Sequence, residues 1–305
     1  MEQKCKGLNK WISPAVLFFL VLLLFPFKAQ GELETIKMST TTSTESSGLL
    51  NVLLPEFTKE TGIRVKVFAK GTGAAIRDGI DGNVDVIFVH ARAREDKFIR
   101  DGYGTKRYAV MHNDFVILGP SDDPAGINGL NQAAAALKKI VAAKALFVSR
   151  GDDSGTHTKE QALWKASGLN LETKESTIVK KGKKRTVGFV QPSGSKTWYL
   201  SIGQGMGKTI TFADEKRAYT LADRGTYIKY KYGRAAGLDL EVLCESDPIL
   251  SNPYGVIPIN PAKHPHVLHK PAEQFANWLI SAKGQSLILN YRLLGKQLFY
   301  PDAID

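Results

Sequence analysis

The sequence predicts an α/β chain of two doubly wound lobes joined by two crossing strands. Three observations carry that prediction. Strand-length apolar runs alternate with helix-like stripes, as where Arg64 to Phe68 leads into AKGTGAAI and then into Val84 to Val89. The last of these, VDVIFV, is a compact β-branched run of the kind found in buried parallel strands. Two further strands, His112 to Pro120 and Leu250 to Pro261, run into or between Pro- and Gly-containing segments where the chain passes from one lobe to another. The first lobe is then discontinuous, 32–117 and 253–305, around a second lobe at 118–252.

The N-terminus has the order of a secretory signal peptide at 1–31. Lys4, Lys6 and Lys10 precede an apolar run from Pro14 to Phe27, and small residues follow at Ala29 and Gly31. Ala15 to Phe27 is shorter than the roughly 20 residues of a membrane span, which disfavours the alternative of a retained anchor. Cleavage near Gly31 and a periplasmic or extracytoplasmic location are expected. Cys5 lies ahead of the apolar core and is no lipid-attachment site. Cleavage would lower the formal charge from +11 to +8, leaving 37 Lys and Arg against 29 Asp and Glu. A basic exported protein can meet anionic substrates, anionic membranes or nucleic acid. The densest basic run, Lys180 to Arg185, lacks interleaved aromatic residues and reads as a solvated loop, so no nucleic-acid partner is expected. With Cys244 as the one cysteine left, internal disulfides and cysteine metal clusters are excluded.

Along the chain, Glu34 to Thr40 is a strand with Ile36 and Met38 on one face. The hydroxyl-rich TTTSTESSGLL then turns into a helix whose stripe begins at Leu49 and Leu50, and Pro55 is expected to kink or divide that helix. Gly71 and Gly73 open the next helix; Ile76 stands where a dinucleotide motif needs its third Gly, so the turn suits a main-chain approach and no such cofactor. Asn128 is expected to cap a helix from Gly129 to Ala145. Residues 170–197 show no clear periodicity and read as surface structure of the second lobe. In GQGMGKT the phosphate-loop spacing fails because Ile202 replaces its first Gly, so the run is expected to be a turn between helices. YTLADRGTY continues a helix whose Arg224 faces the cleft or pairs with Asp223. The segment Pro271 to Leu294 is amphipathic, with Phe275, Trp278, Leu279 and Ile280 packing back onto the first lobe.

The densest chemistry lies at Ser149 to His157, SRGDDSGTH. Ala142 to Val148 suits a buried strand and Thr158 to Ala166 a helix, so the motif is a strand, a turn and a helix start. Ser154 and Thr156 stand where the first N–H groups of the helix are free, Gly155 lets a ligand approach the main chain, and Arg150 adds a guanidinium fork. That combination suits an anion. An ordinary N-cap with Arg150 paired to Asp152 or Asp153 is the competing reading. A secreted serine hydrolase using Ser154 or Ser43 is disfavoured: Gly151 is one position too far for a G-x-S-x-G elbow, and His157 is expected to face solvent or cap the helix.

Taken together, MSTTTSTESSGLL, VDVIFVHA, NDFVILGP with DPAG, SRGDDSGTH, GQGMGKT, YTLADRGTY and NPYGVIPINP resemble the substrate-binding protein of tungstate ABC transporters. The resemblance covers nearly all of the chain beyond residue 31. It implies a periplasmic-binding-protein fold that closes on one oxyanion, tungstate or molybdate, bound through its oxygens with no metal cation and no cofactor. The partner it implies is a membrane permease, and the protein a monomer without enzymatic activity. Its binding residues would be Thr41, Thr42 and Ser43 in the first lobe and Arg150, Ser154, Gly155 and Thr156 in the second, with Gly73 and Arg224 as further candidates. The R-x-D-x-S-G-T spacing also resembles phosphate-binding relatives, which keeps phosphate as the alternative. Two departures from the family pattern, His90 to Glu95 with its Arg92 and Gln191 to Lys196 with the basic run before it, are expected to lie away from the site. Asp152 is expected to turn aside and brace Arg150, because a bare dianion repels a carboxylate at contact distance.

Overall fold

The computed structural model describes residues 33–180 and 183–303. The signal-peptide reading, Cys5 and Gly182 lie outside the described residues. Within them the core is one ten-stranded sheet in the order β2-β1-β3-β11-β4-β9-β5-β8, with β10 and β14 laid against β4. The strands that carry the argument are β1 (Thr35–Thr41), β2 (Arg64–Lys70), β3 (Val86–Val89), β4 (Tyr108–Gly119), β5 (Phe147–Ser149), β8 (Tyr199–Ser201), β9 (Tyr219–Asp223), β10 (Glu241–Cys244), β11 (Ser251–Pro258) and β14 (Tyr300–Pro301). Helices lie on both faces of the sheet, and the chain has the two-lobed architecture of periplasmic binding proteins.

The crossing is visible in the pairing of β4. Residues up to Asp114 pair antiparallel with β11, whereas Phe115 to Leu118 pair with β9 and Ile117 to Gly119 with β10. One strand therefore serves two half-sheets. In each half the inner strands are parallel, β1 with β2 and β3, β5 with β8 and β9. The central ones, β3 (VIFV) and β5 (FVS), have their side chains buried on both faces. The carboxyl ends of these parallel strands lie toward the middle of the molecule, the usual place for a ligand in an open α/β sheet.

β1 shows how the sequence prepares that end. Ile36 and Met38 are fully buried among apolar neighbours. The next three positions are buried as well, but polar: Ser39 donates to Asp78 (2.7 Å) and Thr40 to the Phe88 carbonyl (2.6 Å). Satisfied in this way, the hydroxyls cost little to bury.

After β1 come α1 (Thr42–Ser47) and α2 (Leu50–Thr61). The break falls at Gly48, whose φ of 88° ends α1 in a left-handed cap. Pro55 lies inside α2 without dividing it. Leu50, Leu53 and Phe57 are buried along one side of α2, and that packing outweighs the single hydrogen bond a proline removes. Phe57 meets Phe275 and Trp278 edge-on, with ring centroids 4.9 and 5.5 Å apart, so the C-terminal helices do pack onto the first lobe. Those helices are α9 (His269–Leu279) and α10 (Ala282–Asn290), two rather than one.

Several other local expectations differ. Helix α5 spans Ala133–Ala143 with Gln132 as its N-cap, while Leu130 bridges to Cys244. β5 keeps three residues, because Ala142 and Ala143 end α5. The segment 170–197 is chiefly a long hairpin, β6 (Leu171–Lys180) with β7 (Lys183–Pro192), and of the basic run Lys180 ends β6 while Lys183, Lys184 and Arg185 begin β7. GQGMGKT joins β8 to α7 (Met206–Glu215), a strand–helix junction rather than a turn between helices. YTLADRGTY likewise splits into β9 and α8 (Arg224–Tyr232), with Asp223 as the N-cap: its carboxylate accepts the Thr226 N–H at 2.8 Å.

Candidate functional site

The second-lobe junction is built from β5 and α6 (Gly155–Ala166). Ser154 is the N-cap, accepting the His157 N–H (3.3 Å), and the N–H groups of Gly155 and Thr156 have no acceptor inside the helix. Gly151 must be glycine: its φ is +57°, and a β-carbon there would strike the Ser201 hydroxyl. This tight turn brings Arg150 back over the start of α6. Its Nη1 reaches Thr156 Oγ1 at 3.3 Å, and its Nη2 pairs with Asp152 at 2.8 Å. Nε is buried and meets no acceptor among the described residues. Asp152 thus braces the guanidinium, and its other oxygen accepts the Ser154 N–H (3.3 Å).

Beneath the junction sits a buried carboxylate. Glu160 accepts from Ser149 Oγ (2.7 Å), Tyr199 OH (2.7 Å) and Trp164 Nε1 (3.1 Å). Burial pushes its pKa up to about 7 against those three donors. Ser149 in turn accepts the Gly151 N–H (3.2 Å), so Glu160 holds the strand end from which Arg150 projects.

In the first lobe, Thr41 caps α1. Its Oγ1 lies 3.0 Å from Ser43 Oγ, 2.6 Å from Thr44 Oγ1 and 3.1 Å from His90 Nε2, and Ser43 Oγ is 3.2 Å from the same nitrogen. Thr42 is exposed beside them. The lobes meet at Gly155: a β-carbon placed there would lie 3.8 Å from Thr72 Oγ1 and 3.9 Å from His90 Cε1. Lys229 of α8 also donates to the Ser46 carbonyl of α1. His90 therefore bridges the hydroxyl cluster of one lobe and the helix start of the other. That overturns the expectation that the His90 to Glu95 run lies away from these residues. Thr72, the first residue of α3 (Thr72–Ile80), faces Gly155, whereas Gly73 next to it faces Arg94, whose Nη1 would be 3.6 Å from a β-carbon there.

Arg224 is placed in the crossing. It forms a two-pronged pair with Asp114 (2.6 and 2.5 Å) and a third contact with Glu245 (2.6 Å), not with Asp223. Asp114 is the last β4 residue to pair with β11, so these bonds tie α8 to the hinge. His157 is buried rather than facing solvent. Its Nδ1 accepts the Asp153 N–H (3.1 Å), and burial lowers its pKa. Ser154 Oγ and His157 Nδ1 each hold a backbone N–H group and are not paired with each other.

A cavity of about 510 Å3 lies elsewhere, between α4 (Arg92–Arg100) and the start of β4, and contains none of these residues. The arrangement at the lobe junction offers a guanidinium, two helix N–H groups and several hydroxyls as donors, with the His90 imidazole beside them. Such a set can surround an oxyanion, because charge-assisted hydrogen bonds and the helix dipole act together. His90 and Thr72 were the residues missed by sequence reasoning. The signal for each was its place at the carboxyl end of a parallel strand, beside VDVIFV and after RVKVFAK.

The model of the PBP superfamily domain matches residues 28–283. The tungstate-binding protein TupA of Peptoclostridium acidaminophilum is 44% identical over 284 residues, covering 90% of this chain and 90% of that protein. The tungstate-binding protein TupA of Campylobacter jejuni is 39% identical over 261 residues, covering 86% and 88%. The solved structure of the tungstate-binding protein TupA of Desulfovibrio alaskensis superposes with a TM-score of 0.78 at 45% identity, covering 89% of this chain and 100% of that one. With the donor set at the lobe junction, these likenesses decide the family: the chain belongs to the PBP superfamily and, within it, to the family of the TupA proteins.

Proposed function

We propose that the protein is the extracytoplasmic substrate-binding component of an ABC transporter, taking up tungstate in the cleft between its lobes and handing it to a membrane permease. The observation that carries the reading is the convergence on Gly155, where Arg150 and the start of α6 meet Thr72, His90 and, through His90, Thr41 and Ser43. Thr42, Ser154 and Thr156 complete the proposed contacts. Closure is a population shift, since only the closed form lets both lobes donate to one anion. The lobes are assigned to 32–117 with 253–305 and to 118–252, and the protein acts as a monomer without catalysis. Molybdate, a tetrahedral dianion of the same class, is the expected second ligand.

Export with cleavage near Gly31 is part of this proposal. Among the described residues no helix is long and apolar enough to cross a membrane. Intact mass of protein from the exported fraction is expected to show loss of residues 1–31; a mature species retaining Met1 would sink that part of the proposal.

The alternative anion is phosphate, and Asp152 separates the two. A protonated phosphate gains from a carboxylate that accepts its proton, whereas tungstate is a bare dianion near neutral pH. The pairing of Asp152 with Arg150 and the Ser154 N–H favours tungstate. Calorimetry with tungstate, molybdate, sulfate and phosphate is the test. Tungstate and molybdate are expected to bind tightly, and Asp152→Asn to keep most tungstate affinity while gaining none for sulfate. Tight phosphate binding that Asp152→Asn abolishes would replace this reading with the phosphate one.

A further inference from the structure

Five side chains form a chain of hydrogen bonds from the hydroxyl cluster into the hinge. Thr41 Oγ1 meets His90 Nε2 (3.1 Å), and His90 Nδ1 meets Asn252 Oδ1 (3.0 Å). Asn252 Nδ2 donates to Asn113 Oδ1 (2.7 Å), and Asn113 Nδ2 to Tyr254 OH (3.4 Å). Thr44 Oγ1 lies 2.6 Å from Thr41 Oγ1 at the start of this chain. Asn113 and Asn252 face each other across the two crossing strands, so the chain runs directly through the hinge.

An amide oxygen only accepts, so His90 Nδ1 carries a hydrogen toward Asn252. In the neutral ring Nε2 is then a bare lone pair, and Thr41 and Ser43 must donate to it. One direction of donation satisfies these members: Thr41 to His90, His90 to Asn252, Asn252 to Asn113, and Asn113 to Tyr254. His90 cannot swing away, because it stacks on Tyr254 with centroids 4.6 Å apart and planes 22° apart.

This polarity conflicts with an oxyanion in the cleft. To bind it, Thr41 and Ser43 must turn their hydrogens toward the anion, which strips Nε2 of both donors and leaves its lone pair beside negative charge. We infer that His90 takes up a proton from solvent as the anion binds, so that its Nε2–H becomes a donor to the bound anion and its positive charge selects for dianions. The inference rests on the oxyanion-binding reading above. The groups acting on the imidazole agree with it. Burial holds its pKa low in the free protein, while the hydrogen bond to Asn252 and the Asp223 carboxylate raise it, and its stacking partner Tyr254 is neutral. A dianion at Nε2 adds to the raising side.

The test is a calorimetric titration of the full mature chain with tungstate at pH 7.5, run in two non-phosphate buffers of different ionisation enthalpy. A dependence of the heat on buffer corresponding to uptake of about one proton per tungstate is expected, with affinity falling as pH rises by up to about tenfold per unit. His90→Gln, which keeps an amide donor near Nε2 but cannot titrate, is expected to bind more weakly and to take up no proton. Tungstate binding with buffer-independent heat in the unmutated protein overturns the inference while leaving the function intact. Uptake that persists in His90→Gln overturns it too and moves the proton to Glu160. Absence of binding by tungstate and molybdate overturns the functional reading and this inference with it.

Discussion

Arg150→Ala is expected to weaken tungstate binding by about 10- to 100-fold, since one charge-assisted hydrogen bond contributes about 1.5 to 3 kcal/mol net. Arg150 is the permanently charged donor at the junction, its side chain is 15% exposed, and its Nε meets no protein acceptor among the described residues. The structure adds a second effect. Asp152, only 6% exposed, loses its guanidinium partner, and a buried carboxylate without its cation is costly. The thermal midpoint of the ligand-free variant should therefore fall, whereas the sequence motif alone suggests an unchanged midpoint. A double variant separates the two effects: Arg150→Ala with Asp152→Asn should recover the midpoint but not the affinity. Arg150→Lys should also bind poorly, because an ammonium cannot hold Thr156 and Asp152 in one planar fork. Equal affinity of Arg150→Ala and the unmutated protein, by calorimetry, would return Arg150 to a purely structural role.

The second large effect is a pH dependence of stability set by Glu160. Its folded pKa of about 7 lies above the ordinary value of 4.5. Below pH 4.5 the carboxyl is protonated in both the folded and the unfolded chain and ionisation costs nothing. Between 4.5 and 7 the unfolded chain releases a proton that the folded chain keeps, so this contribution to stability falls as pH rises through that window. A shift of this size corresponds to a loss of about 3 kcal/mol above pH 7. Glu160→Gln should abolish the loss. Its amide oxygen can take the Trp164 and Tyr199 donors, and its NH2 can donate to Ser149 Oγ once that hydroxyl rotates. Urea unfolding of both proteins at several pH values from 4.5 to 8 measures the difference. A stability difference that does not change with pH would show that Glu160 stays in one protonation state throughout.

Both predictions concern one junction, and they show how differently its parts could be read in advance. Ser154, Gly155, Thr156 and Arg150 were legible because they act within seven residues: an N-cap, free N–H groups and a returning guanidinium are local consequences of a strand, a turn and a helix start. Glu160 belongs to the same helix, yet its perturbation comes from Trp164, Ser149 and Tyr199 closing over it. Tyr199 is 39 residues away. The strand content of 170–197 was also present in the sequence, as the β-branched run Thr177, Ile178 and Val179 in ESTIVK, but three consecutive residues flanked by charge show no two-residue period.

By itself the sequence determined the alternation of parallel strands and helices, the crossing at HNDFVILGP, and the strand, turn and helix start that carry the proposed anion contacts of the α6 junction. Those properties follow from side-chain period, turn chemistry and helix-end donors, all of which act over a few residues. Only the tertiary structure decided that His90 joins Thr41 and Ser43, that Asn113 and Asn252 link it to the hinge across 139 residues of chain, and that Arg224 ties α8 to Asp114. A polar side chain of that kind takes whichever partner the fold brings within 3 Å, and strand pairing between distant segments sets that partner, beyond the reach of any local pattern.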